Sequence, residues 1–164
     1  MQEFWTDVNE FPNYSVSDEG HVRNDKTGTV LSTRINHQDI VMVNLVRNGQ
    51  QYTRSVALLV AYHHIEAGPV NFNSPIHLDG DHSNCRASNL LWRPRWFAVL
   101  YHAQFKKEPF KFTDPIYLAD TDEIFENPRD AAMKYGLLER DIVKDIHNHE
   151  GVWPYGYDFR IFKE

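Results

Sequence analysis

The sequence predicts an α+β chain, and three features carry that expectation. Residues 14–56 fall into short β-branched and apolar segments separated by turn signals. Helical spacing of apolar residues appears at 56–64 and again beyond Pro94. Residues 127–146 read as two helices joined at a glycine.

Each element has a local reason. Tyr14 to Ser17 is a strand, turned by Asp18-Glu19-Gly20 into His21-Val22-Arg23. Thr27-Gly28 turns the chain again before Val30 and Leu31. Ile40 to Val46 is a strand, and Gln51 to Val56 is its return. Asn48-Gly49 between them suits a two-residue hairpin, where both residues need positive φ. Val56 to His64 is a helix, broken by Gly68-Pro69. Next come a strand over 74–78, an Asp79-Gly80 turn, a polar loop and a second strand over 89–92. Pro94 suits the first position of a helix filled by Arg95 to Phe105, because its missing N–H costs nothing there. Lys106 to Pro115 reads as a linker. Ile116 to Leu118 and Ile124-Phe125 are strands about a turn at 120–123. Asn127 is a helix N-cap, Pro128 the first helical residue and Gly136 the stop. Leu138 to Ile146 is the second helix of that pair, and Trp153 to Phe162 a final strand around Gly156.

Composition bounds the function. The 164 residues are 41% hydrophobic and 13% aromatic, which supports a packed core. One cysteine, Cys85, excludes an internal disulfide and a multi-thiolate zinc knuckle. No apolar run approaches the ~20 residues of a membrane span. The first residues lack the marks of a signal peptide, so a cytoplasmic protein with no membrane partner is expected. The net charge is −6, opposite in sign to that of most nucleic-acid binders. The middle of the chain is basic, with Arg86, Arg93, Arg95, Lys106, Lys107 and Lys111 near Trp96, Phe97 and Phe105. The last third holds most of the acidic excess.

The ordered residues resemble phage and intron-encoded HNH homing endonucleases of the ββα-metal type. The likeness runs through Tyr14-Ser15-Val16-Ser17, Val43-Asn44-Leu45, His77-Leu78-Asp79-Gly80-Asp81, Asn89-Leu90-Leu91-Trp92, and Tyr135-Gly136-Leu137 through to Gly156-Tyr157-Asp158-Phe159. It implies an N-terminal module over 1–67, an HNH-like ββα core over 68–105, a linker over 106–115 and a helix-turn-helix-like module over 116–164. It further implies that His77 is the general base, Asn89 the residue that orients the loop, and Mg or Mn the cofactor if the chain cuts DNA.

The departures from that pattern matter more. The residue before the base, a metal ligand in the resemblance, is Ile76. The helix ligand falls on Ala98, or on Val99 if one residue is inserted. Neither offers a donor atom, so no metal is expected at those positions. Asp79, Asp81 and His102 are the nearest substitutes, with turn structure the favoured reading of both aspartates. Ala57-Leu58 stands where the resemblance has His-Arg. The second helix of the C-terminal pair carries three acids against Arg140 and Lys144, a poor balance for approaching phosphates. The leading expectation is a nuclease-inactive binding protein. It would use its acidic surface on a protein partner from nucleic-acid metabolism, with Trp96 as a candidate anchor. An active nickase using His77 and a nuclease-dead DNA-binding regulator are the alternatives, with duplex DNA the partner in both. Arg86, Arg93, Arg95, Trp96, Lys106, Lys107, Arg140 and Lys144 are the candidate contacts.

Overall fold

A computed structural model describes residues 2–163. The fold is α+β, with β1 (Trp5–Asp7), β2 (Tyr14–Ser17), β3 (Val22–Asn24), β4 (Thr29–Val30), β5 (Arg34–Ile35), β6 (Val41–Arg47), β7 (Gln50–Ser55), α1 (Val56–His64), β8 (Ser74–His77), β9 (Leu90–Arg93), α2 (Arg95–Gln104), β10 (Ile116–Leu118), β11 (Glu123–Phe125), α3 (Pro128–Tyr135), α4 (Glu139–Asn148) and β12 (Phe159–Ile161). The chain forms two compact units, divided between Ala98 and Val99 within α2.

The first unit is built on antiparallel sheets. Strands β1 to β4 pair in chain order, β6 lies between β5 and β7, and β8 pairs with β9. Along β6, Val41, Val43 and Leu45 point inward while Met42, Asn44 and Val46 are more exposed, the two-residue period of a half-buried strand. Asn48 and Gly49 both take positive φ, 52° and 75°, so the hairpin turns as the dipeptide requires. The Ser55 side chain caps α1 by accepting from the Leu58 amide at 3.3 Å. Helix α1 is apolar around most of its circumference and buries Val56, Ala57, Leu59, Val60 and Ala61.

That helix joins the N-terminal sheets to the β8–β9 hairpin. Phe11, Val16, Val22, Leu45 and Val60 share one core with Cys85 and Leu90. The Ala87 amide donates to Asp18 O at 2.7 Å. Gly20 has φ +89°, and a Cβ there would stand 3.1 Å from the Cys85 carbonyl oxygen, so only glycine suits this close approach. The segments that the sequence divided at residue 67 therefore share a hydrophobic core.

The second unit has its own core. Strand β10 lies between β11 and β12, and Ile116, Leu118, Phe125, Ala131, Leu137, Ile142 and Phe159 pack together. Asn127 caps α3 by accepting from the Asp130 amide at 3.0 Å. Gly136 closes α3 at φ 63°, the left-handed conformation a glycine adopts without strain. The final strand is shorter than the sequence suggested. Only Phe159–Ile161 pairs with β10. Residues 152–157 form a tight turn instead, where the Gly156 and Tyr157 amides donate to Val152 O and Gly156 has φ 73°. Pro154 has no amide to offer a strand ladder. Strands β1 and β5 also went unread, because three and two residues are too few to show a period.

Candidate functional site

His77 ends β8 at a turn whose shape depends on one asparagine. The Leu78 amide donates to Asn89 O at 2.8 Å, holding the strand ends together. The Asn89 side chain then spans the loop. Its Nδ2 donates to Asp79 Oδ1 and to Asn84 O, both at 2.9 Å, and its Oδ1 accepts from the Asp79 amide at 3.1 Å. A short 3-10 turn over Ala87–Asn89 aims Asn89 inward. The sequence places these two residues twelve apart; the antiparallel pairing of His77 with Leu90 brings them together.

The aspartates of the loop are largely consumed by it. Asp79 Oδ1 also accepts from the Asp81 amide at 2.9 Å, and Oδ2 accepts from Asn84 Nδ2 at 2.8 Å. Asp81 Oδ1 takes the Ser83 amide at 2.9 Å and the Ser83 hydroxyl at 2.7 Å. Those bonds hold the Asp81 carboxyl below its ordinary range. This is the Asx-turn behaviour that aspartate favours.

His77 is 7% exposed. Burial, together with the neighbouring His82, lowers its pKa to about 4, against the pull of Asp79 and Asp81. At neutral pH it is an uncharged imidazole, the form a general base needs. His82 stacks on it with ring centroids 5.1 Å apart. Nothing in the spacing of two histidines across an Asp-Gly turn advertises that contact. Cys85 Sγ lies 4.0 Å from His77 Nε2, and burial pushes the Cys85 thiol up to about 11, so it is a packed thiol and not a nucleophile.

The site does not fit a hard divalent cation in the manner the resemblance implies. Ile76 is fully buried. Ala98 is buried while Val99 is 62% exposed, so Ala98 is the inward-facing residue of the two registers. An aliphatic group supplies no oxygen to Mg or Mn. Both Asp79 oxygens already carry hydrogen bonds.

The remaining candidates scatter. Arg93 is 2% exposed, donates to Trp92 O at 3.1 Å and lies 5.7 Å from the ring centroids of Phe72 and Phe97. It is a packing residue and not a surface contact; a lone arginine before a proline gives no sign of this in sequence. Arg86 is exposed and pairs with Glu19 at 2.9 Å. Arg95 is exposed and Trp96 is 57% exposed on α2. Lys106 and Lys107 are exposed just after that helix, and His102 is half-buried on it.

Helix α4 presents fewer acids to solvent than its composition suggests. Its three acids do not share one fate. Glu139 is 2% exposed, and its carboxylate accepts from Arg129 Nε and the Phe110 amide, both at 2.7 Å. Asp145 is also 2% exposed and accepts from the Gly151 amide at 2.6 Å and the Phe159 amide at 2.8 Å. Both face the fold. Solvent meets Arg140, Lys144 and His147, spaced four and three residues apart on one side of the helix, with Asp141 half-buried beside them. The charge count that made α4 look unsuited to phosphates included two carboxylates that never reach the surface.

Comparison with known proteins finds similarities in sequence and in fold. Residues 3–46 match the NUMOD4 motif. An uncharacterized HNH endonuclease of Acanthamoeba polyphaga mimivirus is 34% identical over 88 residues, which is 54% of this chain and 26% of that protein. The chain thus spans about a quarter of the length of that relative. A solved structure of DNA binding and cleavage by the HNH homing endonuclease I-HmuI superposes with a TM-score of 0.56 at 23% identity, covering 98% of this chain and 99% of that one. The chain thus carries a NUMOD4 motif over residues 3–46 and shares its fold with an HNH homing endonuclease. Among the described residues no helix is long and apolar enough to cross a membrane.

Proposed function

We propose that the protein binds duplex DNA through its α3–α4 unit and that its β8–β9 hairpin no longer assembles a hard-metal cutting centre. The observation that carries the binding half is the exposed face of α4, where Arg140, Lys144 and His147 meet solvent while Glu139 and Asp145 are internalised. The remaining acids, Asp141 and Glu150, pair with Arg140 and Lys144 at 3.5 Å, in exposed pairs that are weak in water. Lysine and arginine contacts to phosphate fix the register and orientation of a recognition element on the duplex. The aliphatic Ile76 and Ala98 support the second half. The mimivirus relative and I-HmuI supply the context of nuclease and DNA binding. The protein partner suggested by the acidic excess loses part of its basis, because Glu139 and Asp145 contribute nothing to the surface.

A second reading is favoured by the intact loop: His77 is neutral, and the Asn89 clasp is complete. In that reading His77 would act as the general base, presented by the loop that Asn89 closes.

Two measurements decide. Fluorescence anisotropy on random and native-like duplexes is expected to show binding that weakens with salt and weakens again in Arg140→Ala/Lys144→Ala. Supercoiled plasmid is expected to stay uncut with magnesium, manganese or zinc. Nicking by the wild type that disappears in His77→Ala overturns the inactive reading in favour of the second. Undetectable duplex binding at low salt overturns the first half.

A further inference from the structure

We propose that a cavity in the second unit docks an acidic peptide segment of a protein partner through one apolar anchor side chain. The cavity measures about 240 Å³ and lies among Leu100 and Ala103 of α2, Phe110 and Leu138. Small-molecule and cofactor sites usually run from roughly 300 to 1,000 Å³, so this volume suits a single large side chain better than a cofactor.

Its chemistry selects an apolar occupant. The polar groups of the wall are already engaged with one another. Gln104 Oε1 accepts from the Glu139 amide at 2.9 Å, and Gln104 Nε2 donates to Leu137 O at 3.2 Å. The Glu139 carboxylate is held by Arg129 and the Phe110 amide. The Arg129 guanidinium also donates to the carbonyls of Gln104 and Lys107, each at 3.2 Å. A polar guest would find its donors and acceptors taken, whereas an apolar one loses nothing on entry. The same bonds brace the wall, so the cavity stands preformed and little ordering cost falls on binding.

The surroundings select the charge of the flanks. Lys107 and Arg140, both exposed, complete the lining against one exposed acid, Glu108. Lys106 adjoins them, and α2 itself contains no acidic residue. Within the same unit the apolar surface continues to Val99, one turn before Ala103 on α2 and 62% exposed. Val99 and Ala103, at i and i+4, match the spacing at which an amphipathic segment makes contact. A second copy brought to this face by the same residues would oppose Lys106, Lys107 and Arg140 to themselves, which disfavours a second copy as the occupant. Duplex DNA needs donors across its contact, and the centre of this face has none to give.

The test is selection of a displayed random-peptide library on the full chain, followed by anisotropy of the synthesised winners. Winners are expected to combine one bulky apolar residue with flanking Asp or Glu, and to bind Ala103→Glu or Val99→Glu about tenfold or more weakly. Both positions are exposed, and an unchanged melting curve confirms that each variant is folded. Lys107→Glu is expected to weaken the same peptides. Failure to enrich any peptide, or winners that are basic or indifferent to Ala103→Glu, overturns the proposal. Duplex affinity that falls equally with Ala103→Glu reassigns the face to DNA. A concentration-dependent dimer dissolved by Ala103→Glu reassigns it to self-association.

Discussion

Asn89 and Asp79 clasp each other twice, amide to carboxylate at 2.9 Å and backbone amide to side-chain oxygen at 3.1 Å. The pair closes the loop that follows His77, and Asn84 joins it through its own side chain and carbonyl. A loop so held keeps its shape whether or not a metal is ever bound.

Removing the clasp should therefore cost stability irrespective of any activity. Asn89→Ala leaves the Asp79 amide and the Asn84 carbonyl short of partners in a largely buried place. A loss of about 2–4 kcal/mol is expected, read from urea unfolding. A change below about 0.5 kcal/mol would show that the loop is held by something else.

His77 makes stability depend on pH in a defined direction. Its folded pKa, about 4, lies below the ordinary 6.5, so the unfolded chain binds the proton more readily between those values. Stability from this group is full above pH 6.5 and falls as pH drops towards 4. The maximum effect is about 3 kcal/mol. Melting curves between those limits should steepen in the wild type and flatten in His77→Gln. NMR titration of the imidazole gives the value directly, and an unshifted midpoint would refute the burial effect.

The buried Arg129–Glu139 pair is a structural dependency of the second unit. The two side chains are 12% and 3% exposed. Glu139→Gln keeps an acceptor for the Phe110 amide but leaves the guanidinium without its counter-charge. The expected cost is about 3 kcal/mol by chemical denaturation, as for other buried pairs broken from one side. Glu150→Gln, at an exposed pair with Lys144, should cost under about 1 kcal/mol and serves as the control.

Arg140 and Lys144 should act through phosphate charge. Each alanine variant is expected to lower the slope of log affinity against log salt by about one, with little change among duplex sequences. Asp145→Asn should weaken binding indirectly, through loss of the bonds to Gly151 and Phe159, and should lower the melting point as well. Equal slopes in all three proteins would remove α4 from the interface.

Much of the local structure was legible without coordinates. Asn127, Pro128 and Gly136 delimit α3 because capping and left-handed geometry act within four residues. Asn48-Gly49 turned the hairpin for the same reason. The Ile76 departure was legible too, since an aliphatic side chain has no donor in any fold. The stretch 152–157 misled, because its β-type residues surround a Pro and a Gly that turn the backbone before a strand can pair.

The chain by itself determined the class of the fold, the ends of most helices and the aliphatic residue, Ile76, that precedes His77. These follow from short-range sterics and from side-chain chemistry. Only the tertiary structure decided which charges reach water. Arg93, Glu139 and Asp145 look like surface residues in sequence, yet each is buried by partners that lie elsewhere in the chain. Burial is a property of what packs over a residue, and no local pattern contains it.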